Sequence, residues 1–126
     1  KMKISDIILF STAAPTFFPS VKKHIDGAVF DQNPSMSALT MAISPKSGNI
    51  PLSEIAVLSL GTGTVARWIE EEEHNWGIGQ WLPKLTNLLW DGMVLKSELH
   101  CKELLGDKYH RIDAMLNEEI PMDDPS

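Results

Sequence analysis

A continuous apolar run near the middle of the chain sets the tightest limit on its fold. Residues 55–60 read Ile-Ala-Val-Leu-Ser-Leu, and Ser59 is the one polar residue among them. A strand with one wet face would alternate apolar and polar residues, so this run predicts a central strand covered on both faces in an α/β sheet. Gly61-Thr62-Gly63 then lets the backbone leave the sheet steeply. Neither P-loop nor Rossmann spacing follows, which argues against nucleotide binding.

Helical periodicity predicts the main elements on either side of this strand. Asn33-Pro34 indicates a helix start, because Asn caps free N–H groups and Pro at the first helical position loses no hydrogen bond. We expect that helix over residues 35–43. A second pattern predicts a helix over residues 78–105, ended by Gly106, with Pro83 in its first turn or at a break. The face expected to be buried in the first helix carries Met36, Leu39, Thr40 and Ile43.

The remaining segments are short. Ser5 is expected to cap a helix over residues 7–10, and the aromatic, proline-rich residues 16–21 predict a packed loop. Residues 22–25 are long enough for a strand that delivers Asp26 to a turn, and residues 109–112 predict a last strand.

Asp26-Gly27 marks the sharpest predicted turn. Glycine adopts positive φ without a Cβ clash, and the small Gly27 and Ala28 leave the backbone around the carboxylate uncluttered. Taken alone, an Asp-Gly pair is far more often a surface turn than a functional site. The residues around Asp26-Gly27 favour a functional site.

Several motifs, in one order, resemble the second half of a patatin-like lipid acyl hydrolase domain. They are Ser11-Thr12-Ala13-Ala14-Pro15-Thr16-Phe17-Phe18-Pro19, Asp26-Gly27-Ala28, Asn33-Pro34, Leu58-Ser59-Leu60-Gly61-Thr62-Gly63, Trp76-Gly77 and Met122-Asp123-Asp124. The resemblance covers nearly the whole chain. It departs at Leu9-Phe10, where the family often has an Arg and a small residue. It implies an α/β three-layer sandwich, of which residues 1–126 are only the C-terminal part.

The resemblance also implies roles for individual residues. Asp26 becomes the catalytic base or orienting carboxylate of a Ser–Asp dyad, with Gly27 and Ala28 leaving room for the serine. A carboxylate can accept the serine proton when partial desolvation raises its pKa. Asn33 and Pro34 would anchor the loop after Asp26. No metal or organic cofactor is implied, and none of the four histidines is needed, although His24 lies two residues before Asp26.

The family's G-x-S-x-G nucleophile motif and Gly-rich oxyanion loop do not occur in these 126 residues. We therefore expect the chain to be inactive alone and to need the N-terminal half of the same domain as its partner. The substrate of the parent protein would be a phospholipid or another acyl lipid, with peripheral membrane contact. The alternative is a non-catalytic interaction or regulatory module. A G-x-S-x-G motif upstream of Lys1 would decide for the hydrolase.

Composition narrows the partners and the compartment. A net charge of -6 without a basic stripe argues against nucleic-acid binding. Cys101 is the single cysteine, which excludes an intrachain disulfide and favours a cytoplasmic or membrane-peripheral location over a disulfide-dependent extracellular one. It lies in a helical pattern, so a buried thiol is expected. The carboxylate run at residues 70–73 before His74 predicts a solvated surface loop in preference to a metal site.

The large aromatic side chains are candidates for an acyl-binding groove or an interfacial surface, although core packing is favoured for Trp81 and Trp90. The candidates are Phe17, Phe18, Trp68, Trp76, Trp81 and Trp90.

Overall fold

The computed structural model describes residues 2–66, 76–118 and 120. The predictions for Trp68, residues 70–73, His74 and residues 122–124 lie outside these residues. The described elements are α1 (Ile4–Ser11), α2 (Ser35–Ile43), β1 (Val57–Leu60), β2 (Thr64–Val65), α3 (Ile78–Leu105), β3 (Tyr109–Ile112) and β4 (Met115–Leu116). Single turns of 3-10 helix occupy Gly27–Val29, Leu52–Glu54 and Gly106–Lys108.

The strands form two parallel pairs, which confirms the predicted α/β class. β1 pairs with β3, so that Val57 lies opposite Tyr109 and Leu60 opposite Ile112. β2 pairs with β4, with Thr64 opposite Met115. Parallel neighbours need a long crossover connection, and α3 lies within the one between β1 and β3. None of the described helices combines the length and apolarity needed to span a bilayer.

A small core joins the helices to one face of the β1–β3 pair. Its buried residues are Leu39, Ile55, Cys101, Leu105 and Tyr109. The Cys101 side chain is fully buried, as predicted, and this burial raises the pKa of its thiol. The core therefore holds α2, α3 and β3 together through residues that are distant in sequence.

The opposite face of the strand pair differs from the prediction of a strand covered on both sides. Leu58, Leu60 and Ile112 are 63%, 70% and 63% exposed. Within the described part of the chain, β3 is the one strand that pairs with β1, and the helices cover only the face that carries Ser59 and Tyr109.

Two helices and one strand have the predicted bounds, whereas the residues buried on the helices differ from those predicted. α2, α3 and β3 begin and end where the sequence predicts. The prediction that Pro83 lies in the first turn of α3 or at a break is wrong, because α3 runs unbroken from Ile78 to Leu105 with position 83 in its second turn. On α2, Thr40 and Ile43 are exposed, because the helix turns Ser35 and Leu39 toward the core. Trp81 is half-buried and Trp90 is 36% exposed, so neither belongs to the buried core.

Predictions for the first 25 residues need correction. α1 begins at Ile4 after Lys3, and Ser5 lies inside the helix without capping it. Residues 16–21 are mostly exposed, with Phe18 60% accessible, because no described element packs over them. Residues 22–25 form no strand. A tight hairpin lies there instead.

Candidate active site

A two-residue hairpin leads into the Asp26 turn. The amide of Val21 donates to the carbonyl of His24 at 3.0 Å, and the reverse bond measures 2.9 Å. The two residues between them, Lys22 and Lys23, have φ values of 49° and 67°. Positive φ at both central positions is typical of a type I′ turn, which usually contains Asn or Gly. The Lys-Lys pair gave no such signal, so the sequence predicted a strand there.

Asp26 lies half-buried directly after this hairpin. Its amide donates to the carbonyl of Ala13 at 2.9 Å, which fixes the backbone against the segment that follows α1. Its Oδ1 accepts the amide of Ala28 at 2.8 Å and so caps the Gly27–Val29 turn. Among the described residues, Oδ2 has no hydrogen-bond partner. The carboxylate is thus oriented by one oxygen while the other remains available as a proton acceptor.

Gly27 does not use the backbone freedom expected of it. Positive φ is recorded for Gly63 and Gly106 but not for Gly27, because Asp26 and Gly27 enter a 3-10 turn. A Cβ added at Gly27 would meet nothing within 4 Å in the described structure. The space beside Asp26 is therefore open on the Gly27 side.

Two side-chain contacts join the hairpin to α1. The His24 ring stacks on Phe10, with centroids 4.1 Å apart and planes inclined by 7°. Nδ1 of His24 lies 2.9 Å from the carbonyl of Lys22, and since a carbonyl only accepts, Nδ1 carries the proton. The Lys22 ammonium lies 3.1 Å from the Asp6 carboxylate.

Asn33 is buried after the Asp26 turn and connects three segments. Its Oδ1 accepts the Ser35 hydroxyl at 2.6 Å and, at longer distances, the Ser35 amide and the Ser59 hydroxyl. Its Nδ2 donates to the carbonyl of Val94 in α3 at 3.4 Å. The carbonyl of Pro34 accepts the amide of Ala38 in the first turn of α2. The chain that leaves Asp26 is thereby attached to α2, β1 and α3.

A polar network that the sequence did not reveal continues from this point. The Arg111 guanidinium donates to the Ser59 hydroxyl at 2.8 Å and pairs with Asp113 at 2.5 Å. Its Nε lies 3.9 Å from the Glu98 carboxylate. Ser59 and Arg111 are opposite one another in the β1–β3 register, although 52 residues separate them. No local sequence pattern could have predicted that these two side chains would meet.

The Gly61-Thr62-Gly63 turn holds a carboxylate of the chain itself. The Gly63 amide donates to Oδ1 of Asp113 at 2.9 Å, and Gly63 has a φ of 107°. A Cβ at Gly61 would overlap the same carboxylate. These glycines therefore allow Asp113 to approach the backbone, where a phosphate cradle would have left room for a ligand.

The described residues form no second candidate catalytic or metal site. No group of three His, Cys, Asp or Glu side chains converges in residues 2–66 and 76–118. A shallow depression lined by Leu52, Leu104 and Lys108 contains no residue of the Asp26 turn. Trp76 contacts Trp81 edge-on at 5.2 Å, with the Lys84 ammonium above its ring.

Comparison with known proteins connects the chain to patatin-like proteins and to a hydrolase. It is 37% identical over 76 residues to CotR of Bacillus subtilis, to which a sporulation hydrolase activity is ascribed; the match covers 60% of this chain and 23% of that protein. Patatin-like protein 1 of Arabidopsis thaliana is 34% identical over an aligned length of 107 residues; the match covers 64% of this chain and 26% of that protein. Patatin-like protein 3 of the same plant is 32% identical over 108 residues, with 64% and 24% covered.

The chain spans about a quarter of the length of these curated relatives. No family model matches it. No solved structure matches it either. The similarity supports a relation to patatin-like proteins and a hydrolase-related function at that level.

Proposed function

We propose that this chain supplies the acidic member of a Ser–Asp dyad to a serine hydrolase that cleaves acyl lipids. The main support for the proposal is the Asp26 carboxylate. The Ala28 amide donates a hydrogen bond to its Oδ1, and its Oδ2 has no hydrogen-bond partner among the described residues. The similarity to patatin-like proteins supports the reaction class. The nucleophilic serine would lie in the parent protein, outside these 126 residues.

The proposed reaction uses Oδ2 of Asp26 as the proton acceptor. The serine Oγ attacks the acyl carbonyl while its proton passes to Oδ2, and a tetrahedral oxyanion forms. As that intermediate collapses, the bond to the leaving alcohol breaks, and Asp26 returns the proton to the alcohol oxygen. A water molecule then attacks the acyl-serine, with Asp26 again accepting a proton that it finally returns to the serine. Backbone amides from the parent protein would stabilise the oxyanion.

The local geometry suits this role for a physical reason. The Ala28 hydrogen bond fixes the direction of the carboxylate, and a correctly oriented base removes an entropic part of the barrier. Because a Cβ at Gly27 would meet nothing, the described structure leaves room for a serine on that side. Asn33 and Pro34 anchor the chain after Asp26 and take no part in the proton transfers.

Lipid specificity is proposed from the chain segment around Asp26 and from the resemblance of the sequence to patatin-like lipid acyl hydrolases. Phe17, Phe18 and Ile25 lie within ten residues of Asp26 and are 44%, 60% and 50% exposed. Exposed apolar side chains in the same chain segment as a polar reacting group suit a substrate with an acyl chain and an ester head. Phospholipids and other acyl lipids are the proposed substrates, bound with peripheral contact to a membrane.

Product analysis of the parent protein tests the reaction and its substrate. The protein is incubated with vesicles of phosphatidylcholine, phosphatidylglycerol or galactolipid, and released fatty acid is measured by mass spectrometry. Wild type is expected to release fatty acid and Asp26→Asn to lose the activity. Asp31→Asn is the matched control, because the amide oxygen of the new side chain can still accept the Ser37 hydroxyl that Asp31 accepts.

Two results would count against the proposal. Equal activity of Asp26→Asn and Asp31→Asn would remove Asp26 from the mechanism. A folded parent protein that releases no fatty acid from any vesicle, and whose sequence lacks a G-x-S-x-G motif, would instead be a non-catalytic interaction module.

A further inference from the structure

We infer that the stack of His24 on Phe10 is the contact that positions Asp26, an inference that rests on the proposed function. His24 acts here through its aromatic face and not as an acid or base. The two rings join α1 to the hairpin that directly precedes Asp26.

Backbone strain around Asp26 calls for such a contact. Four non-glycine residues of the described chain have positive φ, namely Thr16, Lys22, Lys23 and Asn49. Three of the four lie within the eleven residues that end at Asp26. Strained residues persist only where the surrounding structure determines their conformation, and they cluster at functional sites. Something must therefore hold residues 21–24 against their own backbone preference.

The stack is the better candidate among the two side-chain contacts between the hairpin and α1. Lys22 pairs with Asp6, but the Lys22 side chain is 67% exposed, so water and salt screen the pair. The Phe10 and His24 rings lie nearly parallel at 4.1 Å, and ring stacking does not depend on ionic strength in this way. The hydrogen bond from Nδ1 to the Lys22 carbonyl lies within the hairpin and does not reach α1, so the ring face alone makes the contact with the helix.

The path from the stack to the carboxylate is short. Phe10 lies in the last turn of α1, and Ala13 just beyond that helix accepts the Asp26 amide at 2.9 Å. His24 is two residues before Asp26. Asp26 is thus held to the end of α1 by its own backbone bond and by the ring next to it. Loss of the stack would let the hairpin relax and move the carboxylate without breaking the fold.

Steady-state hydrolysis of a short-chain p-nitrophenyl ester by the parent protein tests the inference. His24→Ala and Phe10→Ala are expected to lower kcat about tenfold, with KM changed less than about twofold. His24→Phe keeps the stack while it removes the imidazole, so it is expected to retain near-wild-type kcat. His100→Ala, the same change at an exposed position of α3, serves as the matched control.

Three results would overturn the inference. Equal kcat values of His24→Ala and His100→Ala would remove the positioning role. A His24→Phe variant as impaired as His24→Ala would assign the effect to the imidazole nitrogens. A loss of kcat in His24→Ala and Phe10→Ala that parallels a fall in their thermal midpoints would make the stack merely structural. Asp26→Asn, measured beside them, reports on the proposed function separately: full activity there refutes the dyad whatever the stack variants do.

Discussion

Two glycines of this chain illustrate how backbone conformation and free space decide what a residue tolerates. Gly63 has a φ of 107°, and a Cβ there would meet the Leu116 side chain. Gly27 lies in a 3-10 turn without positive φ and faces open space. The Asp-Gly turn predicted from sequence is therefore present, but the reason given for its glycine was wrong.

These environments predict that alanine destabilises the fold at Gly63 but is tolerated at Gly27. Gly63→Ala should lower the free energy of unfolding by about 2 kcal/mol, because alanine adopts positive φ unfavourably and overlaps Leu116. Gly27→Ala should change it by less than about 0.5 kcal/mol. Urea denaturation measures both. In the parent protein, Gly27→Ala should nevertheless reduce activity, since the proposal places the serine on that side. A destabilised Gly27→Ala with full activity would contradict both arguments.

Cys101 provides a second prediction for a single residue. Burial raises the pKa of its thiol, so less thiolate is present at neutral pH than in an exposed cysteine. Alkylation by iodoacetamide at pH 8 should be slower in the native chain than in urea by at least about tenfold. Equal rates, followed by mass spectrometry, would show that the core around Cys101 opens readily.

The Arg111 side chain joins three parts of the chain in the network around Asn33. It contacts Ser59 in β1, Asp113 after β3 and Glu98 in α3. Its side chain is 12% exposed and that of Asp113 is 18% exposed, so this ion pair is largely buried, whereas Glu98 lies between Arg111 and Lys102. The arrangement joins the edge of the strand pair to the long helix.

Removal of this guanidinium should therefore be costly. Arg111→Met should lower the free energy of unfolding by about 3 kcal/mol, because it leaves the largely buried Asp113 without its cation and removes one of the two cations beside Glu98. Lys102→Met is the control, since Lys102 also pairs with Glu98 but is 57% exposed; it should cost less than about 1 kcal/mol. If urea denaturation gave similar losses of unfolding free energy for the two variants, the Arg111 network would stabilise the fold no more than a surface ion pair does.

The bounds of the main helices and of β3 could be predicted from the sequence, whereas the hairpin and the Arg111 network could not. The bounds of α2, α3 and β3 follow from local periodicity and from Asn33, Pro34 and Gly106 at the helix ends. The hairpin was missed because Lys22-Lys23 lacks the usual turn residues, and its conformation depends on contacts with α1. The Arg111 network was missed because strand register brings its members together.

At the scale of the whole molecule, the uncovered strand face is the main feature. Leu58, Leu60 and Ile112 form an apolar row on the side of β1 and β3 away from the helices. The three-layer sandwich expected from the resemblance would cover that face, and the described residues provide two layers. Large apolar patches on soluble proteins usually mark contact surfaces.

The 126-residue chain by itself should consequently associate. Sedimentation velocity is expected to show a mass that rises with concentration, and the double variant Leu58→Gln, Leu60→Gln should reduce the effect. Leu95→Gln, at a 65% exposed position on α3, is the control and should leave association unchanged. A monomer at all concentrations, or equal effects of both variants, would show that the strand face is not the contact surface.

Labelling with a fluorophosphonate probe tests the central claim most directly, because the probe reacts only with an activated serine and requires no known substrate. The parent protein should label in the wild-type and Asp31→Asn forms and fail to label as Asp26→Asn, with all three folded by circular dichroism. The 126-residue chain alone should remain unlabelled. Undiminished labelling of Asp26→Asn would contradict the assignment of Asp26 as the base, and a folded wild-type parent that never labels would contradict the hydrolase itself.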